Sequence, residues 1–169
     1  MLGYVTTQGR GASDRLLFDA AVALRAEGLR VAGAVQENVE RDPTRSCDMD
    51  LHVLTNDSVV RISQNLGRGS RGCRLDPEGL EQAVGLVGAA LDGPIDLLII
   101  NKFGKQELEG RGFRPLIGQA LAQGVPVLTS VGEGKRDGFA AYADGMAEQI
   151  EADLPAVLAW CRQAAAATA

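Results

Sequence analysis

An α/β three-layer sandwich, with a mainly parallel sheet and an antiparallel edge hairpin, is the fold class that this sequence predicts. Three observations point there. Short apolar runs alternate with stretches of helical period along the chain. The run "IDLLIIN" (Ile95–Asn101) is apolar almost throughout, as expected of a central strand covered on both faces. Between Met49 and Ser63, "MDLHVL" and "VVRIS" flank a tight polar turn around "TND", which reads as a hairpin added at one edge.

Taken in order, "GYVTT" (Gly3–Thr7) is a short first strand. "SDRLLFDAAVALRAEG" then places Leu17, Ala20, Ala21 and Leu24 on one helical face, with Gly28 as a stop signal. "RVAGAVQE" (Arg30–Glu37) reads as a buried strand, followed by the hairpin. "DPEGLEQAVGLVGAALDG" opens with Asp76 and Pro77 in N-cap and first-turn positions and continues as a helix. After the central strand, "RPLIGQALAQG" is a helix that accepts Pro115 in its first turn. "VPVLTSV" (Val125–Val131) is a further buried strand, and "DLPAVLAWCRQ" is an amphipathic helix. Residues 163–169, largely alanine, are expected to fray.

A chain of 169 residues suits one domain with a sizeable core. Its net charge of −5 disfavours non-specific binding to nucleic acid. No apolar run reaches the roughly 18 residues needed to span a membrane, and no secretory leader is visible. Cys47, Cys73 and Cys161 are too few and too scattered for a disulfide framework, so a reducing cytoplasm is the expected compartment. The edge hairpin and the alanine-rich helices would permit a homo-oligomer.

The stretch "TTQGRGAS" (Thr6–Ser13) lies between a strand and a helix, where a phosphate-binding loop belongs. Laid on the pattern G-x-x-x-x-G-K-[ST], Thr6 takes the first glycine's place and Gly11 the second. Ala12 stands at the lysine and Ser13 at the hydroxyl. Gly9 adds a further glycine, and Arg10 is a substitute cation. Backbone N–H groups of such a loop and the helix start can hold an anion. The bland alternative is a strand-to-helix turn that needs glycine only for its geometry.

A second stretch, "LLIINKFGKQELEGRGF" (Leu97–Phe113), resembles the strand and loop of the thermophile-type nucleoside-triphosphatases, a P-loop family. In that family the strand ends in Asp-Glu; here Asn101 and Lys102 stand in the acids' places. Phe103, Gly104, Lys105, Gln106 and Glu107 follow in register. The chain is still more similar to a bacterial family of unknown function found beside molybdate transport genes, through "RSCDMDL", "ISQNLGRGSRGCRLDP" and "INKFGKQELEGRGF". The resemblance implies a P-loop NTPase-like fold and a link to molybdenum. It also gives the substitutions a meaning, because in a triphosphatase the first acid organises Mg²⁺ and the second positions water. Ala12, Asn101 and Lys102 together remove that charge machinery and argue against efficient hydrolysis. They leave a site that suits an anion. The bland alternatives are a loop-capping Asn101 and solvated Lys102 and Lys105.

Arginines gather in one segment: Arg41, Arg45, Arg61, Arg68, Arg71 and Arg74. Arg68 and Arg71 sit in the glycine-rich "GRGSRG", and a guanidinium fork matches oxyanions. Alternatively, the arginines pair with Asp42, Asp48 and Asp76 on a solvated surface. Cys47 and Cys73 share these loops and His52 alternates into the hairpin towards Cys47, but the spacing is not that of a zinc site. Inert thiols are the simpler reading, and whether a metal binds is left open. Asp14 serves most simply to complement the helix dipole.

The expected ligand site is therefore Gly9, Arg10, Gly11, Ser13, Arg45, Arg68, Arg71, Asn101 and Lys102, around a nucleotide or a molybdate- or tungstate-type oxyanion. No catalytic residue is assigned. Three functions stay open: a non-catalytic anion-binding protein, an altered nucleotide hydrolase using Arg10 or Lys102, and an assembly protein that keeps the fold for protein contacts.

Overall fold

The structure, a computed structural model, describes residues 1–9, 11–44, 46–67 and 74–169. Seven strands form one sheet: β1 (Leu2–Val5), β2 (Val31–Val39), β3 (Asp48–Val53), β4 (Val59–Arg61), β5 (Leu97–Ile100), β6 (Val127–Ser130) and β7 (Ala147–Gln149). Their order is β4-β3-β2-β5-β6-β1-β7. The pairs β2–β5, β5–β6, β6–β1 and β1–β7 are parallel, whereas β2–β3 and β3–β4 are antiparallel. The expected hairpin is therefore the outer part of an antiparallel run that already begins at β2.

Period-two alternation distributes the strand side chains between two cores. Leu98 and Ile100 of β5 face one cluster, which α2 (Pro77–Ala90), α4 (Arg114–Ala122) and α5 (Arg136–Ala143) cover with Leu80, Val87, Ile117 and Phe139. Leu97 and Ile99 face the other, covered by α1 (Ala12–Ala26) and α6 (Leu154–Ala167) with Leu17, Leu24, Val157 and Trp160. All four β5 side chains are buried, which is why that strand reads as an unbroken apolar run. Trp160 also donates its indole N–H to Glu148 of β7 at 3.0 Å, fastening α6 to the sheet edge.

Close approach of backbones fixes the middle of the sheet. Gly33 in β2 has φ +117°, and a Cβ there would lie 1.9 Å from the Ile99 carbonyl oxygen. Asp76 and Asp153 act as N-caps for α2 and α6, accepting from the Glu78 and Ala156 N–H groups. Helix α6 continues through Ala167, past residue 163 where fraying was expected. Alanine is the best helix former, and Ala164 is fully buried. The first strand ends at Val5, two residues earlier than expected, and Thr6 and Thr7 belong to the loop.

After β5 the chain turns through a four-residue helix, α3 (Lys105–Leu108). Glu107 holds this turn from inside. It is 3% exposed, and its two carboxylate oxygens accept the Gly104 N–H at 2.8 Å and the Phe113 N–H at 3.0 Å. Burial pushes its carboxyl above the ordinary carboxylate range, against the two backbone donors. The resemblance put Glu107 in a loop motif; its contacts are those of a loop brace.

Glu107→Gln is expected to destabilise the fold by about 1–3 kcal/mol, because its amide NH₂ must face one backbone N–H. A carboxyl whose folded pKa is raised gives stability that is present at low pH and lost as pH rises through that value. The parent's advantage over the variant should therefore shrink from pH 4 to pH 7. Urea denaturation at both pH values measures it, and an equal or larger gap at pH 7 would contradict this electrostatic account.

Candidate functional site

The parallel strands deliver their carboxyl ends to one side of the sheet, where open α/β sheets bind ligands. The loop after β1 enters α1 there. Gly9 and Gly11 have φ of 85° and 79°, angles that glycine takes without steric cost. Gly11 is the N-cap of α1, and among the described residues no side chain caps the helix. The N–H groups of Ala12, Ser13 and Asp14 thus have no partner within the helix, and its positive end is open.

Beneath the loop lies a closed polar network. Asp14 is 5% exposed, Gln36 7% and Asn101 4%. Asp14 accepts from Asn101 Nδ2 at 3.0 Å, Asn38 Nδ2 at 2.9 Å and Gln36 Nε2 at 3.3 Å. Asn101 Oδ1 accepts the Gln36 backbone N–H at 3.1 Å, and Asn101 Nδ2 also faces Gln36 Oε1 at 3.2 Å. The Ser130 hydroxyl donates to the Asn101 carbonyl at 2.6 Å, which brings in β6. Asn101 therefore joins β2, α1 and β6 below the site.

Above this floor opens a cleft of ≈ 880 Å³. Gly9, Gly11 and Ser13 of the loop line it, together with Lys102 after β5 and Gly132 after β6. Lys102 is exposed and makes no ion pair among the described residues. Lys105 does not line the cleft. Arg10, Arg45, Arg68 and Arg71 lie outside the described residues, as does Cys73.

The remaining arginines divide. Arg41 pairs with Asp48 at 2.9 Å, and Arg61 with Asp50 at 2.9 Å and Asp48 at 3.4 Å. Those two belong to a braced surface, as the bland alternative had it, although Asp76 caps a helix instead of pairing. Arg74 differs: it lines the cleft and anchors one Nη on the Cys47 carbonyl. Cys47 and Met49 line the same cleft. His52 turns elsewhere than towards Cys47, bonding Glu37 at 2.8 Å and meeting Phe18 edge-on at 5.3 Å. Cys161 is buried in the α1–α6 core, and burial pushes its thiol up to about 12, so it is not a ready nucleophile. Among the described residues, no group of three or more His, Cys, Asp or Glu side chains could hold a metal ion.

Sequence reasoning assigned Asp14 to the helix dipole alone and overlooked Gln36 and Asn38. A signal existed: two amides at period two near the end of a strand share one face, and an acid follows the loop hydroxyl.

Comparison with known proteins places the chain. The family described as protein of unknown function (DUF2478) matches residues 2–160. The molybdenum import ATP-binding protein ModC 2 of Bradyrhizobium diazoefficiens is 36% identical over 149 residues, which is 88% of this chain and 17% of that protein. The chain thus spans a minor part of that relative's length. Among solved structures, THEP1 from the hyperthermophile Aquifex aeolicus superposes with a TM-score of 0.65 at 16% identity, covering 96% of each chain. At that identity the likeness is one of fold, and the fold is P-loop NTPase-like. With a match extending from β1 into α6, the chain belongs to the DUF2478 family.

Proposed function

We propose that this chain binds a small anion, a nucleotide or a molybdate-type oxyanion, in the cleft over Thr7–Ser13, without efficient hydrolysis of nucleoside triphosphates. One observation carries the reading. A glycine loop, an uncapped helix start and Lys102 meet in a single cleft, while the strand-end position is a neutral amide tied into the floor. Gly9, Gly11 and Ser13 supply backbone and hydroxyl donors, and Lys102 supplies charge. Asn101 acts from beneath, holding α1 against β2 and β6. Arg10, Arg45, Arg68 and Arg71 stay with this proposal as further anion ligands. The phosphate loop is degenerate, with Ala12 in place of lysine. The link to molybdenum rests on the relative whose name states molybdenum import.

A second reading, an altered hydrolase, has one observation in its favour: Asp14 keeps a carboxylate beside Ser13 in the cleft. Its oxygens are already engaged by three amide N–H groups, which favours a structural carboxylate over a metal-organising one.

Mg²⁺-dependent hydrolysis of ATP and GTP is expected to be negligible when phosphate release is assayed. Turnover at ordinary enzyme rates, of at least about 1 s⁻¹, abolished by Ser13→Ala, would replace this reading with the hydrolase.

An anion that binds only the folded state should raise the melting temperature. At 100-fold above Kd the gain is about 2.7 kcal/mol, or roughly 5–11 °C for a chain of this size. Phosphate, sulfate and molybdate, titrated in thermal melts, provide the measurement. Gly11→Val should abolish the shift, because φ of 79° strains a branched residue and its Cβ would stand 3.3 Å from Asn38 Nδ2. A shift of full size in that variant would move the site away from the loop.

A further inference from the structure

Strand β7 pairs only with β1 and leaves the sheet with an open edge. Ile150 donates its N–H to the Tyr4 carbonyl at 2.8 Å. Alternate residues of a ladder face the neighbouring strand, so Ala147 and Gln149 turn their N–H and C=O groups to the open side. Beside this edge, on the α5 face of the sheet, lies a cavity of ≈ 450 Å³ that shares no lining residue with the cleft. Tyr4 and Phe139 line it, edge-on to each other at 5.0 Å, and Ala143, Gly145 and Ala147 line it with little side-chain bulk. Met146, which precedes the strand, is 63% exposed, more than any other large apolar side chain among the described residues.

Charge around the edge is largely negative. From Glu133 to Asp153, six carboxylates stand against Lys135 and Arg136. Arg136 is engaged by Glu133 at 3.6 Å and Gln149 at 3.3 Å. Asp144 and Glu151, on either side of β7, are exposed and have no cation partner among the described residues. Ala147 packs on the α5 face, whereas Glu148 faces α6 and Trp160. A strand added at this edge would alternate in the same way: side chains on one face reach the apolar cavity, and those on the other meet Glu148. We propose that β7 is a docking edge for an extended basic segment of a partner protein, in which an apolar side chain that enters the Tyr4–Phe139 cavity alternates with lysine or arginine. A second copy of this chain is a poor occupant. An antiparallel β7–β7 pair would put Glu148 opposite Glu148, and like charges directly opposite destabilise a sheet. Nothing in this docking depends on the anion cleft.

Fluorescence anisotropy of a labelled peptide, Lys-Val-Lys-Leu-Lys-Val-Lys with blocked ends, tests the assignment on the full chain. This peptide is expected to bind at least about tenfold more tightly than the same peptide with glutamate for lysine, and to weaken as salt rises. Two analogues, N-methylated on the lysines or on the apolar residues, separate strand pairing from plain charge attraction. One set of N–H groups faces β7, so one analogue should lose binding and the other keep it. Ala140→Trp, at an exposed position lining the cavity, should lose about tenfold. Asp144→Asn with Glu151→Gln removes two surface charges and should lose about threefold to tenfold, with the circular dichroism of the parent. Asparagine suits the φ of 47° at residue 144. The docking edge would be overturned by no binding of the lysine peptide, by equal binding of the lysine and glutamate peptides, or by both methylated analogues binding as the unmodified peptide does. Unchanged binding in both protein variants would overturn it as well. So would self-association of the chain that Ala147→Pro abolishes, because the occupant of β7 would then be a second copy.

Discussion

A buried carboxylate with three amide donors governs the cleft-facing side of this molecule. Moving an ionised Asp14 out of water costs several kcal/mol unless its oxygens are hydrogen-bonded. Asn101, Asn38 and Gln36 meet that demand from two strands. The first turn of α1 is thereby fastened to β2 and β5 at one point, and Ser130 extends the tie to β6. The conformation of the glycine loop follows, since the loop has only to span from the end of β1 to a helix start whose position is already set.

The same arrangement shapes the electrostatics. In a chain of net charge −5, most of the described arginines have carboxylate partners on the surface. Lys102 and Arg74 line the cleft without carboxylate partners among the described residues. Asp14, the buried carboxylate nearby, has its charge spread over three neutral N–H donors. Two cations therefore face the opening, with Glu40 on the same lining. The helix start adds its partial charge in the same direction.

The sheet, its parallel centre and the helices that cover it were legible because their signals are periodic. Leu97–Ile100 is buried on both faces, and Leu17, Ala20, Ala21 and Leu24 form one stripe. No element was assigned within residues 132–152, although they hold a 3-10 turn at Glu133–Lys135, α5 and β7. Strand β7 has three residues, one of them Glu148 and one Gln149, and it pairs only with β1, so neither alternation nor an apolar run announces it. In the candidate site, the glycine loop and Lys102 could be read from order along the chain. The polar floor could not, because Asp14, Gln36 and Asn101 gain their meaning from contacts over sequence separations of 22 to 87 residues. Such contacts are a property of the packed sheet, and a strand-end amide alone does not name its partner.

The single tryptophan has a spectroscopic consequence. Trp160 sits on α6, 8% exposed, with its indole N–H on Glu148 of the edge strand, and it takes no part in lining the cleft. Its emission therefore responds to the docking of α6 on the sheet and to the entry of water at that seam. It is a native optical gauge of whether α6 is docked, reading from a seam that lies outside the cleft.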